Sequence, residues 1–286
     1  MADKTIVFQA IGTAWFIDLP DKYLSLETEI LNVVHKFEAD YSRFKPSSYV
    51  SQLNTTGVVT KPNQEFVDML DFANDTYFKS GGLFNISVGG QLENNGYGQV
   101  PSRPNKIYPN YTKYLTIQPD SVTISKPDMH IDFGGFGKGW LIDKLANKLN
   151  EAGVPKYIIN GGGDIYSHGS QQSVIYIEDP TKPDYYIGKV NIKNQSLASS
   201  SNIKRTWQVN GNEYSHIVDP TGKNSHDIAS VHVIAKTSLL ADTVATILYI
   251  ANSFKRPDIA KIFDVEYLIV TDGLKTSSSP GFKLLI

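Results

Sequence analysis

The sequence contains no cysteine among its 286 residues. This absence excludes disulfide bonds, thiolate nucleophiles and metal sites built on cysteine. The sequence also lacks any apolar run long enough to cross a membrane. Asp3 and Lys4 precede the first apolar run, so the chain begins without the hydrophobic core of a signal peptide. We therefore expect a cytoplasmic protein, although a chain that had lost a leader or a lipid anchor would look the same.

The chain carries little net charge, and its charges are scattered. Lys and Arg total 27, Asp and Glu total 29, and the formal net charge is −2. A nucleic-acid surface needs clustered basic residues, so we expect no nucleic-acid partner. With 41% hydrophobic and 20% charged residues, the composition is that of an ordinary globular protein. The length allows one large domain or two intimately joined ones, and the sequence shows no linker and no internal repeat.

The stretch His130–Gly169 organises the rest of the chain. Ile131 and Phe133 share one face of a predicted strand at its start. An amphipathic helix follows, Gly153 ends it, and a second strand covers Tyr157–Ile159. The predicted order is therefore strand, glycine-rich turn, helix, strand and a second glycine-rich turn.

Glycine clusters follow both predicted strands, and each stands beside an aspartate. Gly134 and Gly135 come after Asp132, and Gly161–Gly163 come before Asp164. Backbone without side chains lets a flat or phosphorylated ligand approach closely. The spacing matches neither the dinucleotide-binding G-x-G-x-x-G pattern nor a P-loop. The alternative, that these glycines only make tight turns, stays open at this level.

The remaining sequence alternates helical and strand-like patterns. Hydrophobic periodicity predicts helices over Leu24–Tyr41, Glu65–Ser80 and Leu239–Asn252. An ordered loop is predicted over Gly82–Gly98. Strands are predicted within 5–19, 114–124, 173–179, 187–192, 204–209, 230–235, 262–263, 267–271 and 282–285. These elements predict an α+β fold with mixed, largely antiparallel sheets and flanking helices.

Asp242 and Thr246 lie four residues apart in the third predicted helix, so their side-chain oxygens share one side. A carboxylate and a hydroxyl in this arrangement could bind a hard cation that keeps water or phosphate oxygens as its other ligands. Taken alone, the pair is explained better by an acid near a helix start with an incidental threonine.

His216 and Asp219 fall in a segment that Pro220 turns. A histidine at a strand end is suited to acid or base chemistry near neutral pH. Asp219 could orient a neighbour, but alone it is better explained as a cap of the turn. The other histidines lack comparable surroundings. The serine run Ser199–Ser201 lacks the G-x-S-x-G pattern of a nucleophilic serine, so serine catalysis is the weaker alternative.

Taken together and in order, these motifs resemble the ApbE family, the FAD:protein FMN transferases, over nearly the whole chain. Each motif is weak alone, and their common order makes the resemblance specific. The matching segments are Ile11-Gly12-Thr13, Ser42-Arg43-Phe44, Phe84–Gly89, Asn95-Gly96-Tyr97, Asp132–Gly135 with Lys138-Gly139, Gly162–Ile165, His216–Pro220, and Ala241-Asp242 with Ala245-Thr246.

The resemblance implies a magnesium-dependent enzyme that splits FAD at its pyrophosphate, transfers FMN to a threonine hydroxyl of a target flavoprotein and releases AMP. It implies a single flavin transferase domain over residues 1–286, with a flavin cleft between two intimately joined parts of the chain. Asp242, Thr246 and the backbone carbonyl of Gly135 would hold Mg²⁺. His216 would accept the threonine proton, with Asp219 in support. The implied flavin contacts are Ile11, Phe44, Asn95, Gly96, Tyr97, Asp132, Lys138 and Ile228.

The chain departs from the family pattern at two of these contacts, and at the first of them Ile11 stands where the family usually has methionine. The family's Trp-Gly-aromatic segment is Asn95-Gly96-Tyr97 here, which removes one stacking ring. Two other functions would use the same residues. The first is a magnesium-dependent FAD pyrophosphatase with water as the acceptor, and the second is a flavin-binding protein without turnover. The sequence leaves the identity of the target flavoprotein open.

Overall fold

The computed structural model describes residues 3–98, 105–182, 184–201, 206–209, 211–221 and 228–286. Within these ranges the chain forms fifteen β-strands and seven α-helices. The strands are β1 (Asp3–Ala10), β2 (Thr13–Pro20), β3 (Val58–Thr60), β4 (Leu115–Gln118), β5 (Ser121–Ile124), β6 (Tyr157–Gly161), β7 (Asp164–His168), β8 (Ser173–Glu178), β9 (Tyr186–Ile192), β10 (Gln195–Ser201), β11 (Thr206–Val209), β12 (Asn212–Ser215), β13 (Ile228–Ala235), β14 (Glu266–Thr271) and β15 (Thr276–Ser278). The helices are α1 (Glu27–Tyr41), α2 (Tyr49–Thr56), α3 (Gln64–Lys79), α4 (Gly89–Asn94), α5 (Gly137–Glu151), α6 (Ser238–Ile250) and α7 (Arg256–Phe263).

The chain divides into two compact units. The first comprises residues 1–35, 136–203 and 225–286, and the second comprises residues 36–135 and 204–224. The boundaries fall within α1, just before α5 and on either side of the β11–β12 hairpin. Each unit is therefore assembled from separate stretches of sequence. A single transferase domain over residues 1–286 stays a prediction.

An eight-stranded sheet forms the frame of the first unit. Its strand order is β1-β2-β6-β7-β10-β13-β14-β15. Every residue of β13 is buried, and α6 packs on β10 and β13 while α5 packs beside α6. The β8–β9 hairpin joins the core through Ile175 and Val190, which cluster with Leu197 and Ile234 of the sheet. The ends of α5 and α6 are thereby held against a rigid sheet.

The helix α5 has the buried side and the end that the sequence predicts. Leu141, Leu145 and Leu149 lie on its buried side. Gly153 adopts a left-handed conformation with φ of 70°, and the N–H of Val154 bonds to the carbonyl of Leu149. This geometry closes the last turn of the helix, as predicted.

The second unit contains α2, α3 and the three-stranded sheet β3-β5-β4, with the β11–β12 hairpin. Ser48 and Asn63 cap α2 and α3 by accepting hydrogen bonds from the N–H groups of Ser51 and Phe66. Phe66 is fully buried and stacks on Tyr49 with ring centroids 5.2 Å apart. Aromatic packing therefore forms much of this smaller core.

The strand predicted at Ile131 and Phe133 is wrong, because no strand forms there. The side chain of Asn54 takes the place of a neighbouring strand. Its Oδ1 accepts from the N–H of Ile131 at 2.8 Å, and its Nδ2 donates to the carbonyl of Ile131 at 2.9 Å. The N–H of Asp132 donates to the carbonyl of Ile86 at 2.8 Å. These partners satisfy the buried backbone without a sheet.

Three other predicted elements also differ from the structure. Residues 262–263, predicted as a strand, belong to the last turn of α7. The closing strand is β15, whereas Leu285 makes only an isolated bridge to Lys189. The predicted loop Gly82–Gly98 contains α4. All three are short elements, which give hydrophobic periodicity too few residues to act on.

The predicted fold class is confirmed. Among the described residues, every paired set of strands is antiparallel. The second glycine cluster is the turn of the β6–β7 hairpin, with Gly162 and Gly163 both at positive φ. None of the described helices is long and apolar enough to cross a membrane. The start of the strand predicted at 204–209 lies outside the described residues.

Candidate active site

Lys138 lies between two aspartates in the first unit. Its Nζ is 2.8 Å from Oδ2 of Asp164 and 2.9 Å from Oδ1 of Asp242. Lys138 comes from the first turn of α5, Asp164 begins β7, and Asp242 lies in α6. All three side chains are largely removed from solvent. We call these three residues the lysine centre.

Close packing of α5 against α6 sets the position of Asp242. The N–H of Gly139 donates to Oδ2 of Asp242 at 2.9 Å, and a Cβ at Gly139 would collide with the carbonyl of Ser238. Asp143 accepts hydrogen bonds from the N–H groups of Ser238 and Leu239 at 2.8 and 2.9 Å. Its carboxylate therefore lies at the positive end of α6. A glycine and an aspartate of α5 together fix the start of α6.

Burial dominates the electrostatics of the lysine centre. Burial raises the pKa of Asp164 to about 6, with Lys138 opposing the rise and Asp242 adding to it. Burial also disfavours the charge on Lys138, but the two carboxylates outweigh burial and raise the pKa of Lys138. With both carboxylates ionised, the centre holds one negative charge more than Lys138 neutralises.

The predicted metal ligands of α6 offer hard oxygen donors. Asp242 and Thr246 share one side of the helix, and Oγ1 of Thr246 lies 3.3 Å from Oγ of Ser200. Asp242 already binds a cation, the ammonium of Lys138. Among the described residues, no three His, Cys, Asp or Glu side chains form a metal-binding group. The residues present therefore fit a magnesium ion that keeps water or phosphate oxygens as its other ligands. Gly135, the third predicted ligand, lies in the second unit, two residues before α5.

A second buried cation lies in the second unit. Nε of Arg43 is 2.7 Å from Oδ2 of Asp132, and Nη1 is 3.7 Å from Oε1 of Glu93. Nη2 of Arg43 donates to the carbonyl of Tyr97 at 2.7 Å. The Arg43 side chain is only 5% exposed. We call Arg43, Asp132 and Glu93 the arginine centre.

Both carboxylates of the arginine centre have a second set of partners. Oε2 of Glu93 lies 2.7 Å from Nδ1 of His130 and accepts from Nδ2 of Asn105 at 2.8 Å. Oδ1 of Asp132 accepts from the N–H of Gly134 at 2.6 Å. The first glycine cluster therefore begins directly beside this centre, which is held from both sides.

Two aromatic rings pack on Arg43, and a third ring stacks on one of them. The rings of Phe44 and Tyr97 meet edge to face at 5.7 Å, and Tyr97 stacks on Trp207 at 5.0 Å. The guanidinium of Arg43 lies 4.2 Å from the ring centre of Phe44 and 5.1 Å from that of Tyr97. Nε1 of Trp207 donates to the carbonyl of Asn95 at 2.5 Å. We call Phe44, Tyr97 and Trp207 the aromatic cluster.

The predicted flavin contacts separate between the two units. Those of the second unit lie at the arginine centre and the aromatic cluster, and they are Phe44, Asn95, Gly96, Tyr97 and Asp132. Of those in the first unit, Lys138 lies in the lysine centre. Ile11 forms the tip of the β1–β2 hairpin with φ of 50°, which is strained for a β-branched residue. Ile228 is buried at the start of β13.

His216 and Asp219 follow β12 in the second unit, and both are half-buried. Oδ1 of Asp219 accepts hydrogen bonds from the N–H and the hydroxyl of Thr221, each at 2.7 Å. Asp219 therefore caps its own turn, which is the interpretation that its sequence context favours. The catalytic roles of His216 and Asp219 stay predictions.

His232 is a buried histidine that the sequence did not single out. Its Nδ1 lies 2.7 Å from Oγ of Ser199, and its Nε2 lies 3.0 Å from Oγ of Ser230. Burial lowers the pKa of His232 to about 4, so the ring is neutral at neutral pH. Neighbouring residues of a strand face opposite sides, so Ser199 bonds to His232 while Ser200 meets Thr246.

The sequence assigned no separate role to Arg43, Asp164 or Trp207. For Asp164 the sequence did offer a signal, because it is a lone charged residue among glycine and apolar residues, directly after Gly162-Gly163. Trp207 gave no local signal, because its partner Asn95 lies 112 positions away.

Comparison with known proteins adds a family and a fold. The sequence model of the ApbE family matches residues 11–269. A Haemophilus influenzae protein named FAD:protein FMN transferase is 28% identical over 90% of this chain and 82% of its own length. An Escherichia coli K12 protein of the same name is 25% identical over 96% of this chain and 87% of its own length.

Solved structures show the same architecture. The crystal structure of the ApbE protein from Thermotoga maritima has a TM-score of 0.83 and 23% identity, covering 98% of this chain and 97% of that one. The flavin transferase ApbE from Vibrio cholerae has a TM-score of 0.79 and 20% identity, covering 98% of both chains. At these identities the likeness establishes the fold.

Proposed function

The chain belongs to the ApbE family, and we propose that it is an enzyme that transfers FMN from FAD to a target flavoprotein. The family match over residues 11–269 and relatives named FAD:protein FMN transferase support this proposal. We further propose that the acceptor is a threonine hydroxyl and that AMP is released. The observation that carries the chemistry is the buried lysine centre, where Asp242 is held one helical turn from Thr246.

We propose that Mg²⁺ binds to Asp242, Thr246 and the carbonyl of Gly135. When bound, the ion would neutralise negative charge on the pyrophosphate of FAD while a phosphorus–oxygen bond of that pyrophosphate breaks. Lys138 orients the carboxylate of Asp242 through their 2.9 Å contact. With the divalent ion bound, the lysine centre would carry one net positive charge, which attracts a phosphate oxygen.

In the proposed transfer, one bond to phosphorus forms while another breaks, and a residue of this chain accepts the released proton. The threonine oxygen attacks the phosphorus of the FMN part of FAD, and the bond from this phosphorus to the oxygen of AMP breaks. AMP leaves with the electron pair of that bond, and His216 accepts the proton of the hydroxyl. Asp219 supports His216 by capping the turn that follows it.

The proposed flavin contacts are those implied by the family resemblance. Arg43 organises several of them by binding the carboxylate of Asp132 and the carbonyl of Tyr97. The full set is Ile11, Phe44, Asn95, Gly96, Tyr97, Asp132, Lys138 and Ile228.

The direct test is incubation with FAD, Mg²⁺ and a flavoprotein that carries an acceptor threonine, followed by mass spectrometry of protein and nucleotides. We expect a target heavier by one FMN and released AMP, with both lost in Asp242→Asn or after chelation of the metal. Asp258→Asn is the matched control, because Asp258 is an exposed acid of α7. Equal amounts of free FMN and AMP, with or without the target, would show hydrolysis instead. Intact FAD would exclude both enzymes.

A further inference from the structure

The aromatic cluster is an open surface rather than part of the core. Phe44 is 56% exposed, and Tyr97 and Trp207 are half-buried. The rings come from three separate stretches of the second unit: the loop after α1, the loop after α4, and β11. A contiguous exposed apolar patch often marks a site for a ligand or partner. The cluster therefore offers partly exposed aromatic surface to a ligand.

Trp207 closes the surface on one side. Its ring stacks on Tyr97 at an interplanar angle of 23°, and its Nε1 donates to the carbonyl of Asn95. Asn95 itself has no aromatic ring, and the indole of Trp207 lies beside it. A Cβ at Gly96 would lie 2.8 Å from Cγ2 of Val209, which shows how closely the β11–β12 hairpin approaches the loop. The hairpin and the loop thus form one continuous surface.

Arg43 makes this surface rigid. Its guanidinium packs on the ring of Phe44 and bonds to the carbonyl of Tyr97 while Asp132 holds it from the other side. A buried arginine held in this way loses little further freedom when a ligand binds. Rings fixed before binding bind a planar ligand more tightly than mobile rings.

We propose that Trp207 is a ring-binding residue for FAD and packs against a planar heteroaromatic ring of the dinucleotide, either the isoalloxazine or the adenine. The inference rests on the proposed function, because it takes FAD as the ligand. It adds a binding residue from the β11–β12 hairpin to the contacts implied by the family resemblance. The same hairpin leads directly into His216, so the residue that binds the ring also anchors the segment that carries the proposed base.

The test is equilibrium binding of FAD in the presence of EDTA, so that no turnover takes place. Trp207→Leu removes the ring and should weaken FAD binding about 10-fold or more, as expected for loss of one stacking partner. Trp207→Phe keeps a ring but loses the hydrogen bond to Asn95, and should stay within about threefold of wild type. Phe254→Leu, at an exposed aromatic residue of the first unit, is the matched control.

Separate titrations with FMN and AMP identify the ring. If Trp207→Leu weakens FMN binding, Trp207 packs on the isoalloxazine, and if it weakens AMP binding, Trp207 packs on the adenine. Quenching of tryptophan fluorescence by FAD gives a second measurement that does not depend on the folding of the leucine variant. Part of the quenching should be lost in Trp207→Phe, whereas Trp15, which is fully buried, and Trp140 of α5, which is half-buried, are present in both proteins.

Two results would overturn the proposal while leaving the proposed function intact. The first is wild-type affinity for FAD in Trp207→Leu. The second is an equal loss in Trp207→Phe and Trp207→Leu, which would assign Trp207 to anchoring the hairpin through its hydrogen bond. A wild-type protein that binds no FAD would overturn the proposed function together with this inference.

Discussion

The lysine centre and the arginine centre are built alike but hold their cations differently. In each, one buried cation lies between two carboxylates. Lys138 makes both ion pairs through a single ammonium on a flexible stem. Arg43 also donates to the carbonyl of Tyr97 and packs on the ring of Phe44. A guanidinium held in this way is fixed in its plane, whereas an ammonium can shift or share its carboxylates with another cation.

From this difference we propose that the lysine centre takes part in the reaction and that the arginine centre supports binding. At the lysine centre a divalent ion can compete for Asp242, and a phosphate can compete for Lys138. At the arginine centre, a divalent ion or a phosphate could compete only by displacing Arg43, which would disrupt the aromatic cluster that Arg43 supports. Damage to the lysine centre should therefore affect stability and metal binding, and damage to the arginine centre should affect ring binding.

Lys138→Met should cause the largest loss, because Asp164 and Asp242 would stay buried without a counter-charge. Removing one partner of a buried ion pair costs about 3–5 kcal/mol in free energy of unfolding, which urea titration near neutral pH measures. The loss should shrink at about pH 5, since Asp164, with its pKa raised to about 6, is then protonated. Adding Asp164→Asn should recover part of the stability. A loss below about 1 kcal/mol would contradict a buried ion pair.

His232 extends the comparison to a buried group that is bonded to hydroxyl groups and, among the described residues, has no counter-charge that shifts its pKa. Burial lowers the pKa of His232 from 6.5 to about 4. Between these values the unfolded chain binds a proton that the folded chain does not bind, so stability is complete above pH 6.5 and falls as the pH decreases toward 4. At about 1.4 kcal/mol per pH unit, the loss approaches about 3 kcal/mol at pH 4.

His232→Gln isolates this effect, because the other titrating groups are common to both proteins. The stability of wild type relative to His232→Gln should fall by about 3 kcal/mol between pH 7 and pH 4, measured by urea unfolding at each pH. A difference that does not change with pH would show that His232 titrates normally in the folded protein.

Arg43→Lys keeps the charge of the arginine centre but removes the planar fork. The bond to the carbonyl of Tyr97 and the packing on Phe44 should be lost, at a cost of about 2 kcal/mol in stability. We expect FAD binding to weaken about tenfold in calorimetric titrations, because the aromatic cluster loses its support. Affinity for a divalent ion should stay unchanged and is the internal control. Unchanged FAD affinity would show that the rings keep their places without Arg43.

Gly139→Ala and Gly137→Ala test the packing that positions Asp242. A Cβ at Gly139 would collide with the carbonyl of Ser238, whereas a Cβ at Gly137 would meet nothing within 4 Å. Gly139→Ala should cost roughly 1–2 kcal/mol in thermal or urea unfolding and should lower the affinity for a divalent ion. Gly137→Ala should be neutral or slightly stabilising, because alanine favours a helix. Equal effects would contradict the close contact between α5 and α6.

Sequence patterns predicted the elements whose signals are local. The helices α5 and α6 repeat apolar residues over several turns, and Gly153 ends α5 as predicted. The spacing of Asp242 and Thr246 likewise needed only the helical period to place both on one side. The sequence was therefore sufficient to predict features that depend only on the spacing of residues within one helix.

Contacts between segments that are far apart along the chain were not predicted from the sequence. The buried segment at Ile131 takes its backbone partner from Asn54, 77 positions away, where a strand was expected. Trp207 meets Asn95 across 112 positions. The partners of Asp164 are Lys138 of α5 and the N–H of Ser199 in β10. No local pattern encodes such pairings, because they depend on how the chain folds back on itself.

The central claim is that the lysine centre, and not the arginine centre, accepts a divalent cation. The most direct measurement is the binding of Mn²⁺, as a stand-in for Mg²⁺, followed by electron paramagnetic resonance in wild type, Asp242→Asn and Glu93→Gln. We expect Asp242→Asn to lose the bound Mn²⁺ and Glu93→Gln to retain it with wild-type affinity. Retention of Mn²⁺ in Asp242→Asn, or its loss in Glu93→Gln alone, would contradict the account.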